Sequence, residues 1–231
     1  MKTTLSVIKA DTGSIGGHNR PSNAMIAKAE EVLQSAIKNG LLSDGRVTFT
    51  GDDIALLMVH TRGVDNSDIH KFAWDTFVET TKIAKSQGLY GAGQDLLKDA
   101  FSGNVRGMGP GSAEIEFEER AAEPFIVFAG DKCGPGVFNY PLFECFASPY
   151  HNAGLLLAPD MNAGFTFNIM DVNYTEADKV ITLKVPVDYY DICTLLRDPN
   201  HYVIESVIEN ASGLTGAVGS TARLHNIAGK Y

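Results

Sequence analysis

The chain has 231 residues, of which 44% are hydrophobic and 20% charged, with a formal net charge of −9 and a pI near 5.1. That is an ordinary balance for a globular protein long enough to bury a sizeable core. The negative charge argues against nucleic acid or an anionic membrane as a partner, and an anionic substrate would need bound metal or local Lys and Arg to reverse the field at its site.

In chain order, Thr3–Ala10 alternates apolar and polar residues and predicts a strand. Residues 11–20 (DTGSIGGHNR) predict a glycine-rich loop. Met25, Ile26, Ala29, Val32, Leu33, Ala36 and Ile37 share one helical face, and Gly40 suits the stop. Arg46–Thr50 and Ile54–Thr61 predict paired strands joined through Gly51, Asp52 and Asp53. A second helix runs from Ser67 to Gln87, with Ile69, Phe72, Ala73, Phe77, Ile83 and Ala84 as its apolar stripe. The order β-α-β-β-α predicts an α+β layered sandwich, a largely antiparallel sheet with helices packed on its outer face.

Phe101–Gly111 predicts a loop. Glu114–Glu119 alternates like a half-exposed strand, and Pro124–Ala129 is apolar enough for a buried one. Residues 131–164 are rich in Gly, Pro, Asn and aromatics and give no clear period. Phe165–Val172, Lys179–Val185 and Tyr202–Glu209 predict strands, with a short helix over 187–197. No linker is evident, so one domain over 1–231 is expected. No apolar run nears the roughly 18 residues of a spanning helix, and the N-terminus lacks the pattern of a signal peptide. Three cysteines without CxxC spacing (Cys133, Cys145, Cys193) predict reduced, mostly buried thiols rather than a zinc site. A cytoplasmic protein with no membrane partner is expected.

Chemistry-bearing residues gather at predicted strand ends. Asp11, Asp52, Asp53 and Asp131 each follow a strand-like run, and clustered carboxylates repel unless a cation lies between them. Oxygen-rich clusters suit Mg²⁺, which keeps room for water and phosphate. Gly51 permits a bend that aims Asp52 and Asp53 at one place; the other reading is an acidic turn closing a hairpin. Asp11 and His18 bracket a loop that can reach an ion or a phosphate, or form a plain surface turn. Tyr90, Gln94 and Asp95 stand in LYGAGQD, where Gln94 is either a ligand contact or an ordinary loop residue. Asp131 and Lys132 pair a ligand with a phosphate-binding ammonium, or form a local ion pair. Ser102, Gly103, Asn104 and Arg106 offer N–H groups and a guanidinium to another phosphate.

The series KADTGSIGGH (9–18), TGDDIALLMVHTRG (50–63), GLYGAGQDLL (88–97), FSGNVRGMGPG (101–111), EERAAEP (118–124), Asp131-Lys132 and RLHNIAGKY (223–231) resembles the archaeal-type fructose 1,6-bisphosphate aldolase/phosphatase family. The resemblance implies a bifunctional enzyme of gluconeogenesis. It joins two triose phosphates through a lysine Schiff base and then removes the 1-phosphate with Mg²⁺. It implies metal binding by Asp11, His18, Asp52, Asp53, Gln94 and Asp131, and substrate binding by His18, Tyr90, Gly103, Asn104 and Lys132. It matches Tyr231 to the proton donor and acceptor of the aldol step, and it implies a homo-oligomer. Family members continue past this tyrosine to the Schiff-base lysine and further aspartate ligands. In this sequence, phosphatase chemistry is therefore expected over aldolase. The alternative is a catalytically incomplete binding or regulatory module, or one half of a split enzyme whose companion chain carries the C-terminal part.

Overall fold

The computed structural model describes residues 2–97, 109–121, 124–173 and 179–224. Its elements run β1 (Lys2–Asp11), α1 (Asn23–Lys38), β2 (Asp44–Thr50), β3 (Asp53–His60), α2 (Ser67–Ser86), a 3-10 turn (Gln94–Leu96), β4 (Gly111–Glu118), α3 (Asn139–Phe146), α4 (Gly154–Leu157), β5 (Phe165–Asp171), β6 (Val180–Lys184), α5 (Tyr189–Leu196), β7 (Tyr202–Glu209), β8 (Thr215–Val218) and β9 (Ala222–Arg223). The fold is α+β, with two open antiparallel sheets. The chain divides into two units, residues 1–132 with 222–231, and residues 133–221.

The first unit holds a five-stranded sheet in the order β2-β3-β1-β4-β9. Ile8 and Ala10 of β1, Val47 of β2, and Ile54, Leu56 and Met58 of β3 face one side, as period-two alternation requires. Against them pack Met25, Ala29, Leu33 and Ala36 of α1 and Ile69, Ala73, Trp74, Phe77 and Ala84 of α2. Side-chain caps start both helices: Ser22 accepts the Met25 N–H, and Asn66 accepts those of Asp68 and Ile69. Each such cap contributes about 1 kcal/mol. α1 stops at Gly40, in the left-handed region at φ 78°, where glycine carries no Cβ penalty.

At the far end of this sheet lies a buried polar row. Ser6 Oγ donates to Glu114 Oε1 (2.6 Å) and lies 2.9 Å from His60 Nε2. Glu114 Oε2 accepts the Asp65 N–H (2.8 Å) and meets His70 Nε2 of α2 at 3.1 Å. Burial works to raise the Glu114 pKa, but these partners outweigh it and hold the carboxyl below its ordinary value. The row ties α2 to β1, β3 and β4 at one level.

The second unit is a four-stranded sheet in the order β6-β5-β7-β8. Its core joins Phe165, Phe167, Ile169, Ile204 and Val207 of the sheet to Phe143 and Ala147 from the α3 region and Ile192 of α5. Asn139 fastens α3 to β7: its Nδ2 donates to Tyr202 O at 2.8 Å, and its Oδ1 accepts the Ile204 N–H at 3.0 Å.

Two expectations fail. The run Pro124–Ala129 is not a buried strand. It has no regular structure, and Ile126 and Phe128 are 73% and 72% exposed. Apolar composition alone does not make a strand, which must also pair its backbone with a neighbour, and among the described residues no strand pairs with this run. Nor are the thiols mostly buried: Cys133 and Cys145 are exposed and Cys193 is intermediate. Residues 131–164, which give no clear period, hold the short helices α3 and α4. Among the described residues no helix is long and apolar enough to cross a membrane.

Candidate metal and phosphate site

The site grows from strand register. Asp11, the last residue of β1, lies directly opposite Asp53, the first of β3. Paired residues point to the same face, so both carboxylates leave the sheet on the side away from the helices. Asp53 also pairs with Thr50, so only Gly51 and Asp52 form the turn. Gly51 takes φ 59°, and a Cβ there would run into the Asp131 carboxylate. Glycine is thus needed twice over, for the turn and for the approach of Asp131. The Asp52 N–H donates to Asp131 Oδ2 at 3.4 Å.

Asp52 is the hub. Its Oδ2 lies 2.8 Å from His18 Nδ1, and its Oδ1 accepts from Lys132 Nζ at 2.6 Å. Lys132 also donates to Asp131 Oδ1 at 2.8 Å, and it holds a left-handed backbone, φ 55°. Lys9 forms an ion pair with Asp53 and donates to Gly130 O at 3.3 Å. Two ligand trios result, Asp11–His18–Asp52 and Asp52–Asp53–Asp131, each with ligand atoms within 4.8 Å of one another. Asp52 belongs to both.

Asp11, Asp52 and Asp53 are at most 5% exposed. Burial, then the charges of Asp52 and Asp53, push the Asp11 carboxyl up to about 7. Burial also raises Asp53, against the pull of Lys9. Asp52 goes the other way. Burial opposes its charge, but hydrogen bonds from Lys132 and His18 hold it down at about 2. Lys132 is raised despite its own burial, because Asp131 and Asp52 favour its charged form. Burial and neighbouring carboxylates together leave Asp11 and Asp53 raised, while Asp52 alone of the three is held down.

A cation fits these residues. Among the described residues, buried Asp11 Oδ2 has no hydrogen-bond partner, and His18 Nδ1 stands 3.7 Å from it. Such an oxygen is costly to bury unless something positive meets it. The donors around it are mostly carboxylate oxygens, which suit hard divalent ions.

The loop 11–20 and the LYGAGQD turn meet here. Ser14 and Tyr90 exchange both backbone hydrogen bonds, at 2.9 and 3.2 Å. This sets the Tyr90 ring edge-on to His18, centroids 4.8 Å apart. Gln94 opens the 3-10 turn beside them. All eight described residues of the expected set (Asp11, His18, Asp52, Asp53, Tyr90, Gln94, Asp131 and Lys132) lie within the first unit. Gly103, Asn104 and Tyr231 lie outside the described residues.

Two participants were not in the expected set. Lys9 has a signal in hindsight: two residues before Asp11 in a strand, it must share Asp11's face. Asp95 stands in a quoted motif without a role. It is 1% exposed, its carboxylate accepts the Asp11 N–H at 2.8 Å, and burial pushes its pKa up to about 8.

The sequence matches the profile of a family described as fructose-1,6-bisphosphatase over residues 2–231. It is 54% identical over 231 residues to a fructose-1,6-bisphosphate aldolase/phosphatase of Thermus thermophilus, all of this chain aligning with 63% of that protein. Proteins of the same name from Ignicoccus hospitalis and Sulfurisphaera tokodaii are 50% and 49% identical, and the whole chain aligns with 58% and 59% of their lengths. The chain therefore spans less than two thirds of these curated relatives.

Proposed function

This chain belongs to the fructose-1,6-bisphosphatase family, and from that premise we propose that it carries the metal and phosphate site of a Mg²⁺-dependent fructose 1,6-bisphosphate phosphatase of the aldolase/phosphatase kind, a cytoplasmic enzyme of gluconeogenesis. The observation that carries this reading is the convergence of Asp11, Asp52 and Asp53 with His18, in which one buried oxygen, Asp11 Oδ2, has no hydrogen-bond partner among the described residues. In this reading Asp11, His18, Asp52, Asp53, Gln94 and Asp131 hold the metal. Bound Mg²⁺ would polarise a phosphoryl oxygen and lower the pKa of a water.

The rest is the work of the chain's own groups. Lys132, kept protonated by Asp52 and Asp131, meets phosphate as a point charge. Tyr90, largely exposed beside His18, offers a phenol to the sugar phosphate, and the family resemblance adds Gly103 and Asn104, outside the described residues, as substrate-binding positions. Asp11, with its carboxyl near neutrality, can give up a proton as positive charge arrives.

The reading assigns the described residues phosphatase rather than aldolase chemistry. A Schiff base needs a neutral amine, and Lys132 and Lys9 are both committed to carboxylates. Tyr231, matched to the aldol proton donor and acceptor, has no such lysine among the described residues of the site. Self-association into a homo-oligomer belongs to the same proposal.

The test is phosphate release from fructose 1,6-bisphosphate by this chain, with Mg²⁺ and with chelator. Release that requires Mg²⁺ is expected. No release at any Mg²⁺ concentration overturns the reading. Borohydride reduction in the presence of dihydroxyacetone phosphate is expected to leave every lysine unmodified.

A further inference from the structure

We propose that Asp95 is a positioning residue of the metal site: its carboxylate clamps the end of β1 to the turn that carries Gln94, and so fixes where the Asp11 side chain stands. The inference rests on the metal reading above.

Strand register shows why a clamp is needed. β4 begins at Gly111, opposite Lys9, so β1 runs two residues past that neighbour. Asp11 keeps Asp53 on the other side. Its own N–H is turned to Asp95 Oδ2, 2.8 Å away, where no strand continues. A buried N–H needs an acceptor, and Asp95 supplies it.

The same turn is tied to β1 a second time. Gly93, left-handed at φ 82°, opens the turn and donates its N–H to Thr12 O at 3.0 Å. Thr80 Oγ1 of α2 donates to Thr12 Oγ1 at 3.1 Å. Asp11 is one end of the first tie, and Gln94 lies between Gly93 and Asp95, the two tied residues of the turn. With the backbone fixed, Asp11 Oδ1 takes the Gly13 N–H at 3.2 Å, and Oδ2 is the oxygen left for a cation. Without the clamp, the Asp11 N–H would compete for that oxygen or for water, and the carboxylate would lose its fixed direction. The role needs an acceptor atom at this place and does not need a charge.

The experiment compares D95A, which removes the acceptor, with D95N, which keeps one. Mg²⁺ affinity is read by calorimetric titration of the whole chain, and exchange of the Asp11 amide by NMR in the absence of metal. D95A is expected to weaken Mg²⁺ binding about 10–100-fold, as loss of a group that orients a metal ligand does, and to speed Asp11 exchange by a similar factor. D95N is expected to stay within about threefold of the parent in both, since the amide oxygen replaces the carboxylate as acceptor. Should D95A not fold, D95S, whose oxygen falls short of the Asp11 N–H, takes its place with the same expectation. A folded D95A that binds Mg²⁺ like the parent overturns the proposal. So does a D95N as weak as D95A, because Asp95 would then act as a charge. A parent chain that gives no Mg²⁺ binding overturns the metal reading instead, and Asp11 exchange in the two variants still decides whether the clamp exists.

Discussion

Asp11 concentrates the electrostatic conflict of the site, and the sign of its contribution can be worked out. Its folded pKa, about 7, lies far above the unfolded value of 3.8, and that of Asp95, about 8, lies further above. Between pH 4 and 8 these two groups therefore hold more protons in the folded chain than in the unfolded one, and through them raising the pH favours unfolding; buried His60, lowered from 6.5, opposes them in the acid part of that range. Asp52, held at about 2, acts oppositely: its stabilisation is present above pH 3.8 and is lost as pH falls toward 2. We expect the metal-free chain to be most stable near pH 4–5 and to lose melting temperature steadily toward pH 8, as read by thermal denaturation in chelator. A melting temperature that is flat or rising over that range would refute this account. Asp11→Asn should split two properties. Removing a buried charge should stabilise the metal-free chain at pH 8 by about 1–3 kcal/mol, while Mg²⁺ affinity in calorimetry should fall at least about tenfold.

At the scale of elements, the β2–β3 hairpin does most to build the site. Its two-residue turn brings Asp52 over the sheet while Asp53 stays in register with Asp11. Gly51→Ala meets both a left-handed backbone and the Asp131 carboxylate. We expect it to cost about 1–3 kcal/mol in stability and to weaken Mg²⁺ binding, read by denaturant titration and calorimetry on the same preparation. Much of this element was legible in the sequence. The alternation of Thr3–Ala10, the helical stripe of Met25 to Ile37, and a glycine before two aspartates are local signals, and they predicted β-α-β-β-α. The run Pro124–Ala129 departs from expectation because its composition says only that it suits apolar surroundings, whereas a strand also needs a paired neighbour, which no local signal specifies. Lys9 and Asp95 went unassigned for a related reason. Each gains its role from a partner 44 and 84 residues away; strand period puts Lys9 on Asp11's face but does not name the partner it meets there.

At the scale of the whole molecule, the described residues leave the Phe125–Phe128 run on the surface, with Ile126 and Phe128 well exposed. Large apolar side chains clustered on a surface mark interaction sites. Light scattering of the chain is expected to show a mass above 24.9 kDa, and Ile126→Lys with Phe128→Lys to lower it. A monomer in the parent chain at high concentration would count against self-association. Every described ligand candidate lies in residues 1–132.

Lys132 has one more consequence. Its ammonium is bonded to Asp52 Oδ1 and Asp131 Oδ1, on two carboxylates that also belong to the second trio of candidate ligands. In the proposed chemistry a cation arriving there does not add to the site; it trades places with a charge that the chain already owns. The measured affinity for Mg²⁺ would then be a difference between two attractions, and the ammonium set loose would be ready for an anion. Metal and phosphate would each bind more tightly in the presence of the other, by the same factor in both directions. An enzyme built this way would be a poor binder of either partner alone and a good binder of the pair.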